Sequence, residues 1–174
     1  MPELRIQHDP PPRGPELWIR RLKANEVVPV TILSSSLWGT WTHWNGRRSG
    51  PCFREKKDCQ GCKAGLPRAW KGYLHVGNNH NRKEEFLELT KIVALALRDE
   101  IGPGKSYRGM CVRFSRGKGD KAGLFFEVQS QPVEGAKLPN EKSPLQTLIT
   151  LWGVPNVVVT DDGGNRLAFA NEVA

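Results

Sequence analysis

Three cysteines, Cys52, Cys59 and Cys62, fall within eleven residues, and His43 stands nine positions before the first of them. The order H-x8-C-x6-C-x2-C offers one imidazole and three thiols, a complete donor set for a tetrahedral divalent ion. In Cys59-Gln-Gly-Cys62 the spacing lets two thiolates reach one ion from a tight turn, and Gly61 permits the backbone geometry of that turn. His75, at C-x12-H after Cys62, is the alternative fourth ligand, and His80 is a further competitor. Zinc is the expected ion. A site closed by three cysteines and one histidine leaves no position for water, so its expected role is structural, ordering the loop that carries it. A redox pair of the thioredoxin type would open a helix after a strand, whereas this pair sits among Lys56, Lys57, Gly61, Lys63 and Gly65 with no helical pattern after it. His8 reads as a residue of a proline-rich arm, and Cys111 as a small strand side chain.

No other constellation suggests catalysis. A zinc nucleobase deaminase needs H-x-E with P-C-x-x-C, and neither the glutamate nor the proline before Cys59 is present. The H-E-x-x-H, G-x-S-x-G and Walker patterns are absent too, and Gly117 to Gly123 lacks the spacing and following helix of a phosphate cradle. The expectation is a non-enzymatic protein.

The elements that must position the donors are mostly strands. Residues 1–25, with Pro10, Pro11, Pro12 and Pro15, read as an arm. From Glu26 to Trp44 the chain is rich in β-branched and aromatic residues, which predicts a long first strand, with Ser34 to Ser36 and Gly39 as places to bend. After the loop 43–67, a second strand over 69–76 alternates Trp70, Gly72, Leu74 and Val76, and 85–89 gives a third. A helix follows, with Thr90 as N-cap, Ile92, Val93, Ala96 and Leu97 as its apolar face, and Gly102-Pro103 as its stop. Strands over 109–115 and 123–129 complete the series. Three strands, a helix and two strands is the order of an OB-fold, so the expected class is mainly β. It comprises a five-stranded barrel over 26–129 with the helix between strands three and four, and a zinc-binding insertion (43–67) between strands one and two. Residues 130–174 form a small α+β extension, a helix over 143–153 started by Ser143-Pro144, then a hairpin of 157–159 with 167–169. The extension is expected to pack on the barrel, with protein docking through its helix as the other use.

The chain carries 26 Lys and Arg against 18 Asp and Glu. Two blocks hold the excess: residues 41–72 come to +6 and residues 105–121 to +5, while 122–174 come to −3. Both basic blocks fall on the loops that OB barrels use to grip oligonucleotides, which points to a polyanionic partner. Such barrels hold single strands by stacking bases on aromatic rings while cations follow the phosphates. Trp44, Tyr73 and Tyr107 are the candidate stacking residues. Arg47, Arg48, Arg54, Lys56, Lys57, Arg113, Arg116 and Lys118 are the candidate phosphate contacts. No helix resembles a major-groove reader. No segment has the length of a bilayer span, and residues 1–14 lack the apolar core of a signal peptide, so a cytoplasmic location with reduced thiols is expected.

The ligand order His43, Cys52, Cys59, Cys62 in a basic, OB-like chain resembles the zinc-containing single-stranded-DNA-binding proteins of T-even phages, in which one histidine precedes three cysteines, the last two as C-x2-C. The resemblance covers about residues 26–129. It implies largely sequence-independent single-stranded DNA binding in replication or recombination, with RNA binding and a zinc-stabilised adaptor as alternatives. The intervals between ligands are shorter in this chain, and its end, Asn171-Glu-Val-Ala174, is not the strongly acidic tail of those proteins.

Overall fold

The structure is a computed structural model that describes residues 17–47, 49–52, 59–119, 123–130, 137–144 and 147–148, together with the strand backbone of 158–160 and 166–169. Ten strands among them form one mixed sheet. They are β1 (Ile19–Arg20), β2 (Val27–Ile32), β3 (Trp38–Trp44), β4 (Ser49–Pro51), β5 (Arg68–Asn78), β6 (Glu84–Thr90), β7 (Cys111–Arg116), β8 (Leu124–Ser130), β9 (Val158–Thr160) and β10 (Arg166–Phe169). Two helices interrupt the series, α1 (Gln60–Lys63) between β4 and β5, and α2 (Lys91–Ile101) between β6 and β7.

The long first strand is present as two pieces. β2 and β3 both pair antiparallel with β5, Val30 to Ile32 against Asn78 to Val76 and Trp38 to His43 against Tyr73 to Arg68. Between them residues 33–37 leave the ladder, and the His75 carbonyl accepts from both Leu33 N (2.8 Å) and Ser34 N (3.2 Å). The serines thus mark the break. Gly39 does not bend the chain; it lies opposite Gly72, and the two make room for the Trp70 ring. A Cβ on Gly39 would sit 2.8 Å from Trp70 Cη2, a separation that van der Waals contact forbids.

The other ladders are β5 with β6, β2 with β7, and β7 with β8, all antiparallel. Alternation aims Val28, Val30, Ile32, Leu74, Val76, Leu87, Val112 and Phe114 into one core. α2 closes its end. The Thr90 hydroxyl caps Val93 N, and Gly102, at φ 110°, ends the helix. The face that α2 buries is Val93, Ala94 and Leu97. The expected face is wrong by part of a turn, since Ile92 is 81% exposed and Ala96 is on the solvent side as well.

The five-stranded barrel is not closed. β6 and β8 do not pair among the described residues, and residues 19–26 run from the edge of β6 to the end of β7. β1 lies parallel to β6, Ile19 beside Phe86. Arg116 N donates to the Glu26 carbonyl (2.9 Å), Asn25 N to the Gly117 carbonyl (3.1 Å), and the Arg116 guanidinium to the Leu22 carbonyl (2.8 Å). Residues 17–25, expected as the end of an arm, are therefore part of the fold.

The face of β5 and β6 away from the core is also covered. Tyr73, His75 and Phe86 alternate with core residues and so point the other way, yet none is more than 1% exposed. Phe86 N donates to the Trp18 carbonyl (2.9 Å), Thr147 Oγ1 to the Leu17 carbonyl (3.4 Å), and Lys142 N to His75 Nδ1 (3.0 Å). Arg108 adds bonds to the Leu33, Leu138 and Pro139 carbonyls, and Glu141 accepts from Ser35 N and Oγ. Of the helix expected over 143–153, Thr147 and Leu148 are described as helical and buried, and most of the rest lies outside the described residues. The terminal hairpin is present as β9 and β10, and β9 joins the main sheet beside β3, Gly39 next to Thr160. No helix of the described residues is long and apolar enough to cross a membrane.

Candidate metal centre and basic surface

The connection from β3 to β5 is where the four donors meet. β3 delivers His43, β4 pairs back on β3 with Gly50 opposite His43, and Cys52 follows directly. The Cys52 amide donates to the Trp41 carbonyl (2.9 Å), which pins that thiol beside the strand. Cys59 is the N-cap residue of α1, and Cys62 lies within its one turn. The C-x2-C pair thus does open a helix, although one of only four residues. Lys63 N to the Cys59 carbonyl (3.0 Å) and Leu66 N to the Gly61 carbonyl (2.9 Å) hold that turn closed.

One donor atom from each of His43, Cys52, Cys59 and Cys62 lies within 4.8 Å of all the others. His43 Nε2 is 3.3 Å from Cys59 Sγ and 3.4 Å from Cys62 Sγ, and Cys52 Sγ is 3.7 Å from Cys62 Sγ and 4.0 Å from Cys59 Sγ. Ligands about 2.3 Å from a tetrahedral ion stand about 3.8 Å apart, so the described spacing is that of a site built around one ion. His43 Nδ1 faces the carbonyls of Leu66 (3.1 Å) and Pro67 (3.0 Å). Those acceptors hold the ring proton on Nδ1 and leave the Nε2 lone pair directed at the thiols, as a metal-bound imidazole needs. Gly61 is required by the same ring, because a Cβ there would stand 2.6 Å from His43 Cγ.

Electrostatics tells the same story from the proton's side. Desolvation first, then the Cys52 and Cys59 thiols, push the Cys62 thiol up to about 11. The Cys62 thiol so placed resists ionisation, and a cation beside it reverses that balance. The residues can hold a metal ion. His75 takes no part. Its Nδ1 accepts from Lys142 N and its Nε2 lies 2.8 Å from Glu84 Oε2, so both ring nitrogens are engaged away from the cluster. That alternative ligand is withdrawn, and His80 is likewise outside the cluster.

The expected nucleic-acid contacts fare unevenly. Trp44 is 47% exposed on β3, next to His43, with the Arg21 guanidinium 5.5 Å from its ring centre. Arg47 is exposed on the turn beyond it, while Arg48, Arg54, Lys56 and Lys57 lie outside the described residues. Lys118 and Arg113 are exposed, Arg113 in an ion pair with Glu127, and Arg116 is partly buried on the Leu22 carbonyl. Tyr73 and Tyr107 are corrections. Both are buried, 1% and 4% exposed: Tyr73 lies on the covered outer face of β5, and Tyr107, in the connection from α2 to β7, packs into the main core. The Tyr73 hydroxyl bonds Glu88 Oε2 (3.3 Å), and burial, then Glu88, raise its pKa. Neither ring has a free face for a base.

Sequence reasoning missed Arg21 and Lys71 as site residues. Arg21 donates to Glu88 Oε1 (2.9 Å) and Ser49 Oγ (3.1 Å) and lies over Trp44, while Lys71 Nζ is 3.9 Å from Glu88 Oε1. The signal for Arg21 was the apolar rhythm Leu17, Ile19, Leu22 just after the prolines, which marks an ordered segment rather than an arm. No known protein family, curated protein or solved structure matches this chain.

Proposed function

We propose that the chain is a non-enzymatic, largely sequence-independent binder of single-stranded nucleic acid, DNA before RNA, built on an OB-type barrel whose first loop is ordered by a structural zinc ion. The observation that carries this reading is Trp44: a tryptophan nearly half exposed, adjacent in sequence to the metal donor His43, with a guanidinium over its ring. An aromatic platform flanked by cations and fixed to a rigid loop is what a stacked base and its phosphate require.

The pairing pattern supports the barrel. A bent strand over 27–44 pairs with β5 on one edge and β7 on the other, β5 pairs with β6, α2 intervenes, and β7 pairs with β8. That order agrees with an OB arrangement except at its closing pair, where β1 lies along β6 instead. The donor chemistry supports zinc, since three thiolates and one imidazole at tetrahedral spacing suit it better than any hard cation. The resemblance to the zinc-containing phage proteins agrees with both.

The test is a tryptophan fluorescence titration of zinc-assayed protein with a mixed single strand of roughly 20 nucleotides, as DNA and as RNA, against duplex, at two salt concentrations. Quenching by single strands that weakens steeply with salt is expected, stronger for DNA. A folded, zinc-loaded protein that ignores all three polymers overturns the proposal.

A further inference from the structure

A cleft of about 360 Å³ opens beside the N-terminal segment, with residues of β5, β6 and β8 also in its lining. Arg21, Leu22, Lys71, Glu88, Ile92 and Arg116 are among the residues that line it. Three cations from three distant parts of the chain thus converge on one concavity. The single carboxylate among them, Glu88, is 8% exposed and has its oxygens engaged by Arg21, Lys71 and the Tyr73 hydroxyl, so the cleft remains net positive. Arg21 joins the cleft to Trp44, since it lines the one and lies over the ring of the other. The volume falls in the range of small-ligand sites and admits one nucleotide unit.

We propose that this cleft seats a phosphodiester group of the single strand, with Arg21, Lys71 and Arg116 around the phosphate and the neighbouring base against Trp44. The inference rests on the nucleic-acid reading above and moves the contact surface. The face of β5 and β6 that an OB barrel would present to its ligand is filled by the chain's own Tyr73, His75 and Phe86, so a strand must cross the sheet at its end rather than over its middle. Exposed Ile92, in the lining, gives a ribose or a second base an apolar surface to rest on.

The test compares three variants of the full-length, metal-loaded chain that melt as the parent does. Lys71→Gln removes one cation from the cleft; Lys83→Gln removes one from the exposed turn before β6, on no wall of the cleft; Trp44→Ala removes the ring. Lys71→Gln should lower the slope of log affinity against log salt by about 0.7, and Lys83→Gln should leave it unchanged. Trp44→Ala should weaken binding about 5- to 150-fold. If the parent binds single strands but Lys71→Gln and Lys83→Gln behave alike, the cleft proposal falls and the general function stands. If the parent binds no single strand, both fall.

Discussion

Replacing Gly61 with alanine should weaken metal binding while making the loop helix itself more favourable. The new Cβ would lie 2.6 Å from His43 Cγ and 3.0 Å from Nε2, where carbon atoms need about 3.5–4.0 Å. Ring and turn must separate by about 1 Å, yet a metal bond tolerates only about 0.2 Å. The ring cannot yield freely, because the Leu66 and Pro67 carbonyls hold Nδ1 at 3.1 and 3.0 Å. Disturbing a support of this kind costs about 10- to 100-fold in metal affinity, or about 1.4–2.8 kcal/mol. In the same turn, alanine is better than glycine for helix by about 0.5–1 kcal/mol. The two effects have opposite signs, but the clash with a ring that the carbonyls hold is present without metal as well, so affinity should fall and the gain in helix propensity should not appear as added stability. Competition against a chromophoric chelator measures the affinity, and Gly50→Ala, at a strand glycine with open space around it, is the control. Wild-type metal affinity in Gly61→Ala would refute the assignment of His43 as a ligand.

Gly39→Ala should destabilise the whole fold by about 1–3 kcal/mol through overpacking against Trp70, read in urea unfolding, and Trp70→Leu in the same chain should recover part of the loss. His75 gives a pH prediction. Burial lowers its pKa below the usual 6.5 despite the opposing pull of Glu84, so the unfolded chain binds the proton first as pH falls. The stability that neutral His75 contributes is complete above about 6.5 and is lost progressively below it, as the proton displaces the Lys142 N–H from Nδ1. Hydrogen exchange at the Lys142 amide should quicken over that interval, and His75→Gln should flatten the dependence; an amide indifferent to pH beyond its intrinsic chemistry refutes the link.

What could be read from sequence follows from how local the signal is. The donors are close together in the chain, so spacing picked out the three cysteines and put His43 ahead of His75 for the fourth place, and the capping residue Thr90 with Gly102 bounded α2 correctly because caps are local chemistry. Strand alternation found the inward residues of β5 for the same reason. Tyr73 failed because it lies on the outer face of β5 and β6, which segments distant in sequence cover through Trp18 and Lys142, and no pattern around Tyr73 reveals that cover. The face of α2 was misjudged because Ile92 is apolar yet stands on the turn that faces the cleft, and hydrophobicity alone cannot tell a cleft lining from a core. The N-terminal segment was missed because prolines dominate its start, although its apolar residues resume before Ile19.

The covering of β5 and β6 by a later segment has a consequence for how the chain must be made. Once Thr90 is synthesised the two strands can pair and the segment from Leu17 can lie along β6, but the part of the cover that Lys142 and Thr147 supply is complete only when Leu148 arrives, 58 residues on. At ordinary rates of synthesis that interval is about 3–12 s, during which a nascent chain presents part of an aromatic sheet face to its surroundings. A fragment stopped before residue 137 would hold that exposed state permanently, so truncation should cause clumping of newly made protein, even though the metal donors and the core facing α2 are all present.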